Sequence, residues 1–337
     1  MPKIAASIQS NQAKAPVEFY VHLGDLRRMF DIDCDMAIRQ SPGFDCKTRK
    51  QPLGRNAMND YLNHAWSDFV DQQIKPFGSL PFFVGIGNHE LYANRTRQDF
   101  ERTFQPWLTQ EVLHSQRMSD AGKGILTNEG DTTYHFVHRG VDFIYLDNAD
   151  GPAFTASQVL WLSKILAVDA KNAEIKTIVV GLHAALPFSK ARGHAMDDSC
   201  QGRCSGEQVY DMLYRAQNLE GPADQQKEVY VIASHSHLFL EDVYNTPEHR
   251  GQVLPGWIVG TAGAEQYTNF IRYGYLLVEV RPDGTLHPDF REVTAQSPPL
   301  AEGPGAEALT KFCFEQNKHP VAVEQPVKME CSCGAAK

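Results

Sequence analysis

Short apolar runs alternate along this chain with stretches of helical periodicity. Residues 2–13 read as a helix, and "VEFYVHLGD" (17–25) as a strand running into a turn. Residues 31–55, with Pro42, Gly43, Pro52 and Gly54, read as a loop. "NAMNDYLNHAWSDFVDQQI" (56–74) spaces its apolar residues as a helix does, and "LPFFVGIG" is a short buried strand. Helical residues follow near 95–105. "TTYHFVHRG" and "VDFIYLDNA" predict two strands joined by a tight hairpin at Arg139-Gly140. An amphipathic helix is predicted over 157–170, then a strand, "EIKTIVVGLH", that ends on His183. Ser205 is the predicted N-cap of a helix over 205–218. "KEVYVIASHSH" is a strand ending on His235 and His237, and "GWIVGTAGAEQY", "YGYLLVEVRPDG" and "LHPDFREV" form a β-rich end. No internal repeat is visible. The alternation predicts one α/β domain over residues 1–296, with helices covering its sheets. Residues 297–337 read as a linker, "SPPLAEGPGAEA", and a C-terminal tail.

Four predicted strands end on polar groups: Asp25, Asn88-His89, His183, and His235 with His237. Sites in open α/β sheets gather beyond the carboxyl ends of strands, so these groups are expected to meet. Two residues apart in an extended segment, His235 and His237 face the same side. Each residue alone also fits an ordinary turn. Together they form an N/O donor set, without thiolates, that suits Zn, Mn or Fe.

Composition narrows the partners. The chain has 337 residues and a net charge of −9, which disfavours nucleic acid or an anionic membrane. A small phosphorylated substrate stays compatible, because a metal or a local Arg reverses the sign inside a pocket. No apolar run is long enough to span a membrane, and the first residues lack a signal peptide's apolar stretch. As written, the default location is cytoplasmic. The cysteines form the couples Cys34/Cys46, Cys200/Cys204 and Cys331/Cys333, with Cys313 left over. These couples suit small disulfide loops in an oxidising compartment; reduced thiols are the alternative, and pairing is open.

The blocks "GD" (24–25), "GNHE" (87–90), His183 at a strand end and "SHSH" (234–237) resemble the calcineurin-like metallophosphoesterase superfamily. The resemblance spans about residues 17–280 and rests most on G-N-H-E. It implies a four-layer α/β/β/α sandwich of two mixed β-sheets flanked by helices. It also implies a centre of two divalent or trivalent ions (Mn, Fe or Zn). Asp25 would bridge the ions; Asn88, His183 and His235 would complete one shell, and His237 would belong to the other. A hydroxide between the ions would attack a phosphomonoester or small phosphodiester in line. His89 would act as general acid or phosphate-binding donor, with Glu90 orienting or tuning it. The iron–tyrosinate subgroup, the purple acid phosphatases, carries Tyr three residues after the Asp, where this chain has Arg28.

Two departures from the family pattern follow. Ser234 replaces the Gly of G-H-x-H, and fits unless the backbone needs positive φ. The first block, D-x-H, has no counterpart, since no Asp precedes Asp25. Two ligands of the His237 ion and an interior strand would then be missing. The expectation is an N-terminally truncated chain with an incomplete second metal site. A signal peptide could then lie upstream, making the protein periplasmic or secreted. The alternative is a degenerate, non-catalytic member acting as a scaffold or phospho-ligand binder. A mononuclear metallopeptidase reading fails, because His89-Glu90 does not continue as H-E-x-x-H.

Further substrate-binding candidates are Arg27 and Arg28 after Asp25, His194 in the flap-like stretch 188–200, and Tyr267 in the loop 260–267. Solvated Arg and plain loop residues are the alternatives. Asp31, Asp33 and Asp35 are weaker candidates for replacement ligands. His135 and His138, three apart on a strand, face opposite ways and do not chelate one ion together.

Overall fold

A computed structural model of the chain describes residues 2–14, 16–29, 55–126, 130–191, 194–218, 226–264, 266–268, 272–294, 297 and 329–333. Asp31, Asp33, Asp35, Cys34, Cys46, Cys313 and most of the linker lie outside the described residues. The strands are β1 (Tyr20–His22), β2 (Phe82–Val84), β3 (Tyr134–His138), β4 (Val141–Leu146), β5 (Thr177–Leu182), β6 (Glu228–Ala233), β7 (Phe239–Glu241), β8 (Gly256–Val259), β9 (Gly274–Val280) and β10 (Leu286–Glu292). The helices are α1 (Pro2–Asn11), α2 (Arg55–Phe69), α3 (Arg97–Leu108), α4 (Glu111–Gly122), α5 (Ala156–Asp169) and α6 (Cys200–Asn218).

The main sheet has six strands in the order β3-β4-β5-β6-β8-β7. Its centre, β4-β5-β6-β8, is parallel, and the edges β3 and β7 are antiparallel. A parallel centre needs cover on both faces, and its strands are accordingly apolar on both. Ile178, Val180 and Leu182 of β5 pack in one core with Trp161, Ile165, Val209 and Leu213 of α5 and α6. Val179, pointing the other way, packs with Tyr230, Trp257 and Leu286. That second face meets β9 and β10, an antiparallel pair, through Leu276 and Val278. The parallel pair β1-β2 shares a third core with α1, α2 and α3, built on Ile4, Tyr61, Phe69, Phe82, Phe100 and Phe104. The result is the α/β/β/α sandwich. The inner layer facing the main sheet differs in one respect from a single mixed sheet: among the described residues, β1-β2 and β9-β10 are two separate pairs.

Two expectations change. The helix after the flap starts at Cys200, five residues before the predicted Ser205. Ser199 caps it by accepting from the Gly202 N–H at 3.0 Å, while Ser205 Oγ turns back to the Gln201 carbonyl at 2.9 Å and accepts from the Phe154 N–H. Among the described residues, the couples Cys200/Cys204 and Cys331/Cys333 do not close small loops. Cys200 pairs with Cys331 and Cys204 with Cys333, across sequence separations of 131 and 129. Residues 329–333 are thereby strapped to the start of α6, and Arg203 Nη1 donates to the Met329 carbonyl at 3.3 Å. The hairpin at Arg139-Gly140 is as predicted, with φ of 50° and 80°.

His135 is buried, as one face of β3 requires, and it is the hub of an ionic cluster. Its Nδ1 faces Asp142 at 2.9 Å and its Nε2 faces Asp120 of α4 at 2.7 Å. Burial opposes its charge, but the two carboxylates outweigh burial and raise it to about 10. Burial and Asp142 push nearby Asp169 up to about 9. Both groups thus hold a proton at neutral pH, and both favour folding less as pH rises. For His135 the contribution is complete below the ordinary value of 6.5 and is lost as pH rises through about 10.

Urea midpoints should therefore fall between neutrality and pH 10 and above, and His135→Gln should flatten that dependence. At neutral pH the same substitution leaves two buried carboxylates without their cation and should cost about 3–5 kcal/mol. For the strap, Cys331→Ser with Cys333→Ser frees a long loop in the unfolded chain. Equilibrium unfolding under oxidising conditions should show a loss of about 2–5 kcal/mol.

Candidate metal centre

The ends of β1, β2, β5 and β6 meet because each pair is parallel, so their following loops emerge on one side. The loop after β1 and the loop after β2 touch backbone to backbone. Gly24, at φ +100°, has no room for a side chain: a Cβ would lie 2.4 Å from Gly87 N. A Cβ on Gly87 would lie 2.3 Å from Asp25 Oδ1. Asp25 itself sits at φ 56°, a conformation uncommon outside glycine though one that Asp adopts more readily than most, and its contacts fix it there.

Glu90 does the holding. It is fully buried. Its Oε2 accepts from the N–H groups of Asp25 and Gly87, both at 2.8 Å, and its Oε1 accepts from Leu26 N–H at 2.9 Å. The expectation that Glu90 orients the His89 ring is thus replaced: its carboxylate staples the two loops through three main-chain donors. Burial and the Asp25 charge push Glu90 up to about 8, against the pull of the Gly87 and Leu26 N–H groups.

Four acceptor atoms converge in front of these loops. His183 Nε2 lies 3.1 Å from Asp25 Oδ2, 3.0 Å from Asn88 Oδ1 and 3.0 Å from His235 Nδ1. His235 Nδ1 lies 4.0 Å from Asp25 Oδ2. Among the described residues, Asp25, His183 and His235 form a group whose ligand atoms lie within 4.8 Å of one another. The second nitrogen of His183 fixes its tautomer. Nδ1 faces the Leu23 carbonyl at 2.9 Å and Ser234 Oγ at 3.2 Å, while Ser234 donates its own proton to Leu23. The proton of a neutral ring therefore sits on Nδ1, and the Nε2 lone pair points at two acceptor oxygens, Asp25 Oδ2 and Asn88 Oδ1, with His235 Nδ1 beside them. Such a set repels itself unless a cation shares it. Ligands about 2.0–2.2 Å from a metal stand about 3.0–3.6 Å apart, close to the spacings here. The residues fit one ion. Burial alone would raise Asp25, but His183, His235 and His89 hold it well below the usual carboxylate range. His183 is raised, the Asp25 charge prevailing over burial.

His89 stands beside the cluster, with Nε2 4.0 Å from Asp25 Oδ2. Its Nδ1 accepts from Met29 N–H at 3.4 Å, which leaves the proton on Nε2, facing the site. Its main-chain N–H donates to Asp25 Oδ1 at 3.0 Å, so that one oxygen of Asp25 is anchored and the other faces the cluster. Burial lowers the His89 pKa, and His183, His235 and Arg28 lower it further.

The structure brings Asp25, Asn88, His89, His183 and His235 together. The His237 ring stacks on Tyr267, 4.7 Å between centroids and 6° between planes. His194 covers the other face of Tyr267 at 4.5 Å and 9°, and lies 5.2 Å from the His235 ring. Arg27, taken as a phosphate contact, is instead buried and ion-paired with Asp68, because the Gly24-Asp25 turn aims it under the loop. Arg28 is the half-buried one of the two, its charge felt at His89. Ser234 is not at positive φ, so the family's Gly is not needed there.

Sequence reading missed Asn148. Fully buried, it accepts on Oδ1 from His183 and Ala184 N–H, each at 3.1 Å, and donates to the Ala184 carbonyl at 2.7 Å. It follows β4 as a polar strand end, the very signal that identified the other positions.

The chain belongs to the calcineurin-like phosphoesterase family, whose sequence profile matches residues 3–239. Comparison with curated proteins gives no match. Among solved structures, the fold is similar to that of a purple acid phosphatase isolated from yellow lupin (Lupinus luteus) seeds, with a TM-score of 0.51 and 13% identity. The similarity covers 86% of this chain and 46% of the lupin chain, so this chain spans about half the length of that relative. At this identity the likeness concerns the fold, and Arg28 still stands where the tyrosinate of that subgroup is expected.

Glu90→Gln tests the staple. An amide has one acceptor oxygen for three N–H donors, so at least one stays unsatisfied, at about 1–3 kcal/mol. Calorimetric titration with Zn²⁺ or Mn²⁺ should show weaker binding as well, because Asp25 loses its backbone anchor.

Proposed function

We propose that this chain is a metal-dependent hydrolase of small phosphoesters. The observation that carries the reading is the convergence of Asp25 Oδ2, Asn88 Oδ1, His183 Nε2 and His235 Nδ1, with the protonated Nε2 of His89 facing the same space. These four side chains would hold the ion. When bound, a divalent or trivalent metal supplies Lewis-acid polarisation of a phosphoryl oxygen and lowers the pKa of water. The N/O donor set suits Mn, Fe or Zn.

The chain's own residues do the rest. Asp25 supplies the negative charge that retains the cation, and Glu90 and Asn148 keep Asp25 and His183 in place without touching substrate. His89 donates from Nε2 to a phosphoryl or leaving-group oxygen. Its lowered pKa keeps it neutral at physiological pH, which favours hydrogen-bond donation over full proton transfer. Arg28 adds positive potential nearby. The two disulfides fit an oxidising compartment, in agreement with a periplasmic or secreted location. Among the described residues, no helix is long and apolar enough to cross a membrane. The acidic net charge argues for small phosphorylated partners over nucleic acid.

A phospho-ligand binder without catalysis is the second reading, favoured by the single group of ligand atoms, Asp25, His183 and His235, found among the described residues.

Aryl phosphomonoester and phosphodiester hydrolysis with added Mn²⁺, Fe²⁺ or Zn²⁺ separates the two. Asp25→Ala and Asn88→Ala should abolish turnover, and His89→Ala should lower it at least about 100-fold. If His89 only binds a phosphoryl oxygen, that loss is equal for good and poor leaving groups; if it delivers a proton, the loss grows as the leaving group worsens. No turnover with any of the metals, together with retained phosphate binding, would establish the second reading.

A further inference from the structure

Asn88 offers an amide with two ends of similar size and opposite polarity, and only the oxygen can hold a cation. The NH₂ end is engaged: Nδ2 donates to the Tyr92 hydroxyl at 3.3 Å, while Oδ1 faces His183 Nε2 at 3.0 Å. Tyr92 follows the single tight turn Asn88–Leu91, so this contact spans four residues. The same Tyr92 ring meets the His89 ring edge-on, 5.2 Å between centroids at 84°. One side chain thus touches both the metal-facing amide and the donor imidazole.

Tyr92 is also 41% exposed. The other exposed large hydrophobic side chains among the described residues are Val, Met and Leu, scattered over the surface. An exposed aromatic ring is the exception here, and it stands beside His89. The chain then turns through Ala93 and Asn94, both left-handed at φ 57° and 60°. Across the cluster, His235 abuts the stack of His194, Tyr267 and His237. Tyr92 is the aromatic side chain that reaches solvent beside His89.

We propose that Tyr92 is a positioning and specificity residue: its hydroxyl fixes Asn88 as an oxygen ligand, and its ring receives an aromatic leaving group of a phosphomonoester. This rests on the phosphoesterase reading above and names its substrate class. Ring stacking of this kind should favour an aromatic over a methyl substituent by about threefold to tenfold.

Phenylphosphonate and methylphosphonate are suitable probes, because neither is hydrolysed and leaving-group reactivity plays no part. Their affinities would be measured calorimetrically on the Mn²⁺-loaded native chain, Tyr92→Phe and Tyr92→Leu, together with the Mn²⁺ affinity of each protein. Since Tyr92 is exposed, neither variant opens the core, and thermal melts check this. The native chain should prefer phenylphosphonate. Tyr92→Phe should keep that preference but bind Mn²⁺ about tenfold more weakly. Tyr92→Leu should lose both. A phenyl preference that survives in Tyr92→Leu, or is absent from the native chain, overturns the specificity role. Unchanged Mn²⁺ affinity in Tyr92→Phe overturns the positioning role. Either result, with phosphoester hydrolysis intact, sinks this inference alone; failure of every phosphonate to bind and of every phosphoester to react sinks the parent reading with it.

Discussion

The site depends on one buried carboxylate and the three main-chain N–H groups it gathers. Glu90 joins the loop after β1 to the loop after β2 by accepting from Asp25, Leu26 and Gly87. Together with the His89 N–H it keeps Asp25 at positive φ, where its carboxylate divides between that N–H and the cluster. The glycines make this possible by letting the two backbones approach more closely than any side chain would permit. A burial this complete is unfavourable for a carboxylate, and the N–H donors on its oxygens oppose that push without overcoming it. A cation at Asp25 would relieve the second cause that raises Glu90, the neighbouring negative charge. The staple and the cation therefore stabilise one another.

The rest of the centre is organised by what the far side of each side chain finds. His183 presents a lone pair because its other nitrogen is committed to the Leu23 carbonyl. Its backbone is held by Asn148, and the loop bearing Gly85 and Ile86 is held by Tyr145, whose hydroxyl donates to the Ile86 carbonyl at 2.8 Å. His183 and the Ile86 loop are thus aimed by hydrogen bonds to neighbouring elements, as the surroundings of a metal ligand would need to be.

Much of this was legible in the sequence, and for a physical reason. Parallel strands deliver their carboxyl ends to one side, so polar residues at the ends of apolar runs could be expected to meet, and Asp25, Asn88, His183 and His235 do. The hairpin at Arg139-Gly140 and the opposed fates of His135 and His138 followed from local periodicity. What failed to show was everything decided by the angle of a turn. Periodicity places Arg27 and Arg28 side by side, and only the turn after Gly24 sends Arg27 into the interior toward Asp68. The strand rule for residues i and i+2 does not govern His235 and His237, because β6 ends at Ala233; the stack of His237 on Tyr267 is set by the loop instead. Glu90 looked like a partner for the adjacent imidazole; in a tight turn its reach is instead back to the N–H groups at the start of that turn.

The cysteines show how pairing can follow from element type once the elements are known. Cys200 and Cys204 are four apart on a helix, a rise of about 6 Å. Cys331 and Cys333 are two apart in a segment without regular secondary structure, and two residues of extended chain span about 6.6 Å. The spacings are similar, so a segment laid along the first turns of α6 brings both sulfur pairs together, with Cα–Cα distances of 5.3 and 5.2 Å. Local pairing within a couple would have asked each element to bend. The cross-pairing asks neither to, and it places the strap where α6 meets the flap. Gly202 is packed against the Met196 and Pro152 carbonyls, Gly206 against Pro187, and the Arg203 guanidinium lies over Phe188. The flap that presents His194 to His235 is therefore backed by a helix end that two covalent bonds hold in place.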